Sequence, residues 1–257
     1  MLFSVASSED AGARHAMTAG AAPVARRETF CSSCQARAMG ICAALTAAEL
    51  SGLAAISRSR VLASGLPVIR EGERADAVYT VMSGMLKLYK MLPDGRQQIT
   101  GFASVGDMVG LSYGDGFAYT AETITAATVC RFPRNGLGTM MARHPQLQAR
   151  LLAMTSIELT AAQDQILLLG CKNAAERIGS FLLTLARRAG QAVGEAQPIV
   201  FLPMQKTDMS AYLGLRPETL SRQFRKLEEA GLIERVAADR IRLLDPDALS
   251  RMAGRAA

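Results

Sequence analysis

Histidine is nearly missing from this chain of 257 residues: His15 and His144 are the only two. Neither stands in a haem-binding pattern, and no catalytic-triad arrangement accompanies them. A dinucleotide-binding Gly fingerprint and a P-loop are also lacking, so no enzyme chemistry is written in the motifs. No apolar run approaches the roughly 18 to 20 residues that a bilayer crossing needs. Positions 1–28 are rich in Ala and Ser, but Glu9 and Asp10 interrupt them before any apolar core of signal-peptide length. They read as a flexible leader. Without an export signal, and with unpaired cysteines, the expected compartment is a reducing cytoplasm.

Cysteine is scarce too, yet crowded. Five exist, an odd number in a chain too long for a disulfide-stapled miniature. Three fall within twelve residues, Cys31-Ser-Ser-Cys34 and then Cys42, a C-x2-C-x7-C spacing that lets one short loop (29–44) turn three sulfurs toward a point. Zinc or an iron-sulfur cluster would each suit such thiols, and each wants a fourth ligand from afar. Cys130 and Cys171 are the candidates for it. Unrelated reduced thiols are the plain alternative.

What is abundant is apolar residue, 49% of the chain, enough for two modest cores. A net charge of +6 points weakly to a polyanionic partner. Thr46 with Glu49 three residues on forms a capping box ahead of Leu50, Leu53 and Ile56, which predicts a short helix. From 57 to 133 the texture becomes short β-rich runs broken by Gly65, Gly72, Gly84, Gly95 and Gly106, the pattern of an antiparallel roll. Between Gly106 and Thr128 no Arg or Lys occurs, so an anionic nucleotide would meet mainly Asp107, Asp115 and Glu122. The roll is expected to hold no such ligand.

Helical periodicity follows. Leu152, Thr155, Leu159, Ala162, Ile166 and Leu169 recur in steps of three and four, a heptad seam that predicts a dimerisation helix over 141–170. A second stripe through Leu147, Leu151, Met154 and Ala161 would pack back onto the roll. Another amphipathic helix is expected over 173–189 and a linker over 190–197.

The C-terminal region, 171–257, carries a helix-turn-helix pattern. A short helix at 207–213 precedes the turn Gly214-Leu215-Arg216, and Pro217 opens the next helix. That second helix sets Glu218, Ser221, Arg222 and Arg225 on one face and Leu220, Phe224 and Leu227 on the other. Arg forks suit guanine, Glu suits cytosine N4, and Ser suits a base edge. Arg216, Arg225 and Lys226 would hold phosphates of double-stranded DNA. Residues 232–243 read as a two-stranded wing turning at 237–240.

The order of cysteine loop, roll (45–140), heptad helix and winged helix-turn-helix resembles the Crp/Fnr family of bacterial transcription regulators, an α+β architecture whose roll is cyclic-nucleotide-binding-like. The segments Gly106-Asp107-Met108-Val109-Gly110, Lys172-Asn173-Ala174-Ala175-Glu176-Arg177 and Glu218-Thr219-Leu220-Ser221-Arg222 carry the likeness. It is closest to the FNR-like oxygen sensors of the FnrN, FnrL and AadR types. The resemblance implies a [4Fe-4S] cluster on Cys31, Cys34, Cys42 and Cys130, with iron as the metal. It implies a homodimer whose Glu218, Ser221 and Arg222 read an inverted repeat of the TTGAT type, and contact with RNA polymerase through loops such as 92–95. No catalytic residue is implied. Cys171 matches no ligand and is expected as a packing residue. Ala162 replaces an acidic seam residue of enteric members, which predicts a tighter dimer without the cluster. The rivals are a family member sensing nitric oxide or a cyclic nucleotide, and an iron-sulfur redox protein.

Overall fold

The computed structural model describes Cys31 and residues 34–112, 114–190 and 197–254. The leader, with His15, and most of the expected linker lie outside them. Two short 3-10 turns, Gln35–Arg37 and Ile41–Ala44, lead into helix α1 (Ala47–Ile56). Eight strands follow: β1 (Arg58–Leu62), β2 (Pro67–Ile69), β3 (Ala77–Ser83), β4 (Leu86–Met91), β5 (Gln97–Ala103), β6 (Met108–Val109), β7 (Thr120–Thr123) and β8 (Ala127–Pro133). They form two antiparallel four-stranded sheets, in orders β1-β8-β3-β6 and β2-β7-β4-β5, which face each other as the predicted roll.

Strand parity makes the first sheet a shared wall. Every residue of β3 but the last is buried, which a strand covered on both faces requires. Ala77, Tyr79 and Val81 point into the roll with Val129 and Ala127 of β8, whereas Val78 joins Phe132 and Met108 in a second core under the cysteine loop. Side chains alternate along a strand, so Cys130, between Val129 and Arg131, falls on the loop side. The roll interior is filled by Leu62, Ile69, Leu86, Val109, Phe117 and Ala121. Gly84 turns β3 into β4 at φ +83°, where a Cβ would stand 2.5 Å from the Ala126 carbonyl, so no other residue fits without displacing backbone.

Six helices and a small sheet complete the described residues. Helix α2 (Arg134–Arg143) leads into the long α3 (Pro145–Cys171) and then α4 (Ala174–Arg188). Beyond them come β9 (Ile199–Phe201), α5 (Lys206–Leu213), α6 (Pro217–Glu229), β10 (Ile233–Ala237), β11 (Arg240–Leu243) and α7 (Pro246–Met252). The capping box of α1 is present as expected, with Thr46 and Glu49 bonded reciprocally, and Asn173 with Glu176 forms another at α4. The wing proves three-stranded, in order β10-β11-β9. The second stripe of α3 packs back through Leu147, Leu151 and Met154, but Ala161 is exposed, because the helix has passed the loop-side core by then.

The roll and the C-terminal region share a core. Ile99 and Phe102 of β5 are buried with Phe181, Leu213, Leu220 and Phe224. The rings of Phe102 and Phe181 stand 5.1 and 5.3 Å from that of Tyr212, in tilted contacts. Lys87 of β4 adds a partly buried ion triad, 3.1 Å from Asp208 of α5 and 3.2 Å from Glu122 of β7. Removing one member would leave the others unmatched in a poorly solvated seam.

Candidate functional site

Two sites emerge, one at each end of the molecule's helical spine. The first is a cavity walled by Cys31, Cys34 and Cys42 from the loop and by Cys130 from β8. The rest of its wall is mostly aliphatic and aromatic, including Leu50, Leu53, Met82 and Phe132, with Arg37 the one cation and no carboxylate or imidazole among the described residues. The loop stays closed over it because Ile41 is fully buried against Leu53 and Val78, and because Gly40 and Met39 lie tight against the Gly106 turn.

Electrostatics in the cavity oppose free thiolates. Burial pushes Cys42 up to about 12, with the neighbouring Cys31 and Cys34 adding to the rise. Burial likewise pushes Cys130 to about 12; a hydrogen bond with Ser57 works against the rise, and the other three thiols work with it. Cys31 is raised by burial and by Cys34, against the opposing Arg37. The mutual influence of the four places them in one electrostatic environment. Among the described residues, however, no group of three or more His, Cys, Asp or Glu side chains is arranged to hold a metal ion. Cys171 is far from this group in its surroundings: it is exposed at the end of α3, which corrects the expectation that it packs.

Two side chains that the motifs did not single out connect the cavity to its surroundings. Arg150, in the second turn of α3, donates from Nη2 to the Met39 carbonyl and from Nε to that of Gly40 at 3.3 Å, so the cysteine loop is fastened to the long helix. Thr80 of β3 lines the cavity with a buried hydroxyl. His144 is occupied elsewhere, with Nδ1 3.2 Å from Glu49.

Beyond the loop, α3 leaves a stripe uncovered. Leu152, Leu159 and Ile166 are 70%, 59% and 72% exposed, and Thr155 and Ala162 on the same stripe are exposed as well. Ile157 and Leu167 widen the stripe. Leu169 is partly buried against the C-terminal core and its contact with Gly214.

The second site is the face of α6. Gly214 takes the left-handed conformation, φ 60° and ψ 38°, that ends α5, and Pro217 supplies the preset φ that starts α6. Leu220, Phe224 and Leu227 are buried, which turns Glu218, Arg222 and Arg225 to the outside with Ser221 partly exposed beside them. Arg216, at the N-cap, is exposed too. Among the described residues none of these four charged side chains is held in an ion pair. A helix with free forks and acceptors on one face is the shape and chemistry of a major-groove reader.

Comparison with known proteins agrees with both halves. The Crp-like helix-turn-helix domain matches residues 176–252, and the cyclic nucleotide-binding domain matches residues 59–144. The nitrogen fixation regulation protein FixK of Bradyrhizobium diazoefficiens is 39% identical over 224 residues, 87% of this chain and 94% of that protein. The transcriptional activator protein FnrL of Cereibacter sphaeroides is 37% identical over 206 residues, 79% of this chain and 83% of that one. The solved structure of FixK2 from Bradyrhizobium japonicum superposes with a TM-score of 0.72 at 35% identity, covering 79% of this chain and all of that one. Similarity of that extent, running through roll and helix-turn-helix alike, makes this chain a member of the Crp/Fnr family of DNA-binding transcription regulators, on its FNR-like branch.

Proposed function

We propose that the protein is an oxygen-responsive regulator of anaerobic or microaerobic genes, active as a homodimer with a [4Fe-4S] cluster held by Cys31, Cys34, Cys42 and Cys130. The observation that carries this reading is the convergence of those four cysteines, three from the loop and one from a strand some ninety positions on, upon the wall of one cavity. The donor set is all thiol, the preferred ligation for iron-sulfur groups. A single ion would draw its thiolates in to about 2.3 Å each. Four thiols match the number of ligands that a [4Fe-4S] cluster takes.

When bound, such a cluster supplies an oxidant-labile crosslink among the four thiolates. The protein's own residues do the rest. Arg150 couples the seating of the loop to the start of α3. The Leu152–Ile166 stripe offers apolar area that a second copy would bury, and each large side chain fully covered contributes roughly 1.5 to 3 kcal/mol. Glu218, Ser221 and Arg222 read base edges of a TTGAT-type inverted repeat, while Arg216 and Arg225 hold phosphates. Two linked half-site contacts bind far more tightly than one. The exposed tip at Leu92, carried on the turn that Gly95 closes at φ 85°, offers a contact for RNA polymerase.

The test is iron and sulfide analysis of protein purified under nitrogen, followed by a gel shift on the inverted repeat under nitrogen and then in air. The reading expects both elements to be present and the shift to weaken in air. It fails if neither element is found, or if Cys130→Ser, folded by circular dichroism, occupies the repeat as the parent does.

A further inference from the structure

Thr80 sits 3% exposed on the wall of the four-cysteine cavity, and its Oγ1 has no hydrogen-bond partner among the described residues. It stands in direct register with Cys130 across the β3–β8 pair, so the two side chains rise as cross-strand neighbours from the same face of the sheet. Its methyl is turned to the loop backbone, 3.1 Å from where a Cβ on Gly40 would lie. The cavity's other hydroxyl already has partners: Ser57 donates to the Ala54 carbonyl at 3.0 Å and is also hydrogen-bonded with Cys130. Three further buried atoms without a hydrogen-bond partner, on Gln165, Ser210 and Glu228, lie away from this wall.

A buried hydroxyl without a partner is uncommon in a folded protein and asks for an acceptor that belongs to the site. Among the described residues, the side chains that line the cavity with Thr80 are sulfur or hydrocarbon apart from Ser57 and Arg37, and neither of those adds a carboxylate or imidazole acceptor. We propose that Thr80 is a positioning residue whose hydroxyl donates to an anionic sulfur, either the Cys130 thiolate or a sulfide of the bound cluster. The inference rests on the cluster reading above and adds a residue to it. Donors of this kind around a metal's own ligands fix their orientation and tune the site, and their loss commonly weakens metal retention by about tenfold or more.

A hydroxyl kept for a ligand has opposite effects on the two forms of the protein. In the iron-free form it is a buried group without a partner, so Thr80→Val, which keeps the shape and removes the hydroxyl, should raise the melting temperature. In the form reconstituted with ferrous iron and sulfide under nitrogen, the same variant should lose its iron-sulfur absorbance to a chelator about tenfold faster than the parent. Thr80→Ser, which keeps the donor, should lose it at close to the parent rate. The assignment is overturned if Thr80→Val releases iron at the parent rate, or if it lowers the melting temperature and speeds release together, as a simple packing role would. A parent protein that takes up neither iron nor sulfide would instead defeat the cluster reading, and this inference with it.

Discussion

Arg177 of α4 donates from Nη1 to the carbonyl of Leu213, the last residue of α5, at 2.9 Å. The same guanidinium reaches Gly214 at 3.3 Å, Leu169 at 3.0 Å and Lys172 at 2.8 Å. One planar cation therefore satisfies carbonyls at the C-terminal end of the long helix and at the turn of the helix-turn-helix, where the helix dipoles favour positive charge. The angle between the spine and α6 is fixed through this fork.

Arg177→Lys keeps the charge and removes the fork. The variant is expected to remain dimeric by sizing, to lose about tenfold in DNA affinity, the equivalent of about 1.4 kcal/mol, and to discriminate less between the correct palindrome and one with an extra base pair in its spacer. Titrations against both duplexes measure this. Unchanged spacer preference would refute the role.

Arg150→Ala should detach the cysteine loop from α3 while leaving the buried Leu147 anchor in place. The expected outcome is DNA binding that no longer differs between nitrogen and air, with iron content near the parent's. Parallel gel shifts and iron assays decide it.

On the uncovered stripe of α3, Ile166→Glu would place facing carboxylates at a contact the second copy must dehydrate. Monomers by sizing and at least a hundredfold weaker DNA binding are expected, in line with losing the linked half-site. Ala162→Asp tests the milder case: if alanine there favours a dimer without the cluster, the parent stays dimeric after air exposure and the variant dissociates.

At the DNA face, Arg222→Ala should cost about 1 to 3 kcal/mol on the cognate repeat and relax sequence preference at one position. Arg225→Ala and Arg216→Ala should instead weaken all sequences alike and lower the salt slope by about one unit each. Salt titrations on cognate and scrambled duplexes separate the two behaviours.

The thiols give a pH prediction. Cys42 and Cys130, each raised from 9.0 to about 12, bind protons more tightly in the folded protein than in the unfolded chain. Their stabilisation of the iron-free fold is fully present below about pH 9 and is lost as pH rises toward 12, at about 1.4 kcal/mol per unit for each thiol. Denaturant melts of iron-free protein across that window should show the decline, and Cys42→Ala with Cys130→Ala should flatten it. Iron loading displaces those protons, so it should also weaken as the solution is made more acidic.

Much of this architecture is legible in the sequence, for a physical reason: the elements that carry signal are those whose period or cap is local. The capping box at Thr46, the helical period of α3 and the Gly214–Pro217 turn each depend on neighbours within a few residues. Strand β9 is not legible in the sequence: Ile199-Val200-Phe201 is β-branched and aromatic, but three residues beside a linker-like stretch carry too little pattern. The wing gains its third strand from pairing with β11, a non-local event. Cys130 could be suspected from count and likeness, but that it faces the loop follows from strand parity. The roles of Arg150, Arg177 and Thr80 were invisible for the same reason. Each acts on backbone or space contributed from far along the chain, and a lone Arg or Thr in sequence says nothing about such partners.

The aromatic contact among Phe102, Phe181 and Tyr212 limits how this protein can be cut. A fragment starting at Lys172 would keep the reading helix but lose the β5 residues that cover its flank, leaving Phe181, Tyr212 and their apolar neighbours facing water. Such a piece would tend to self-associate. Half-site studies are therefore better served by a full-length monomeric variant than by scissors.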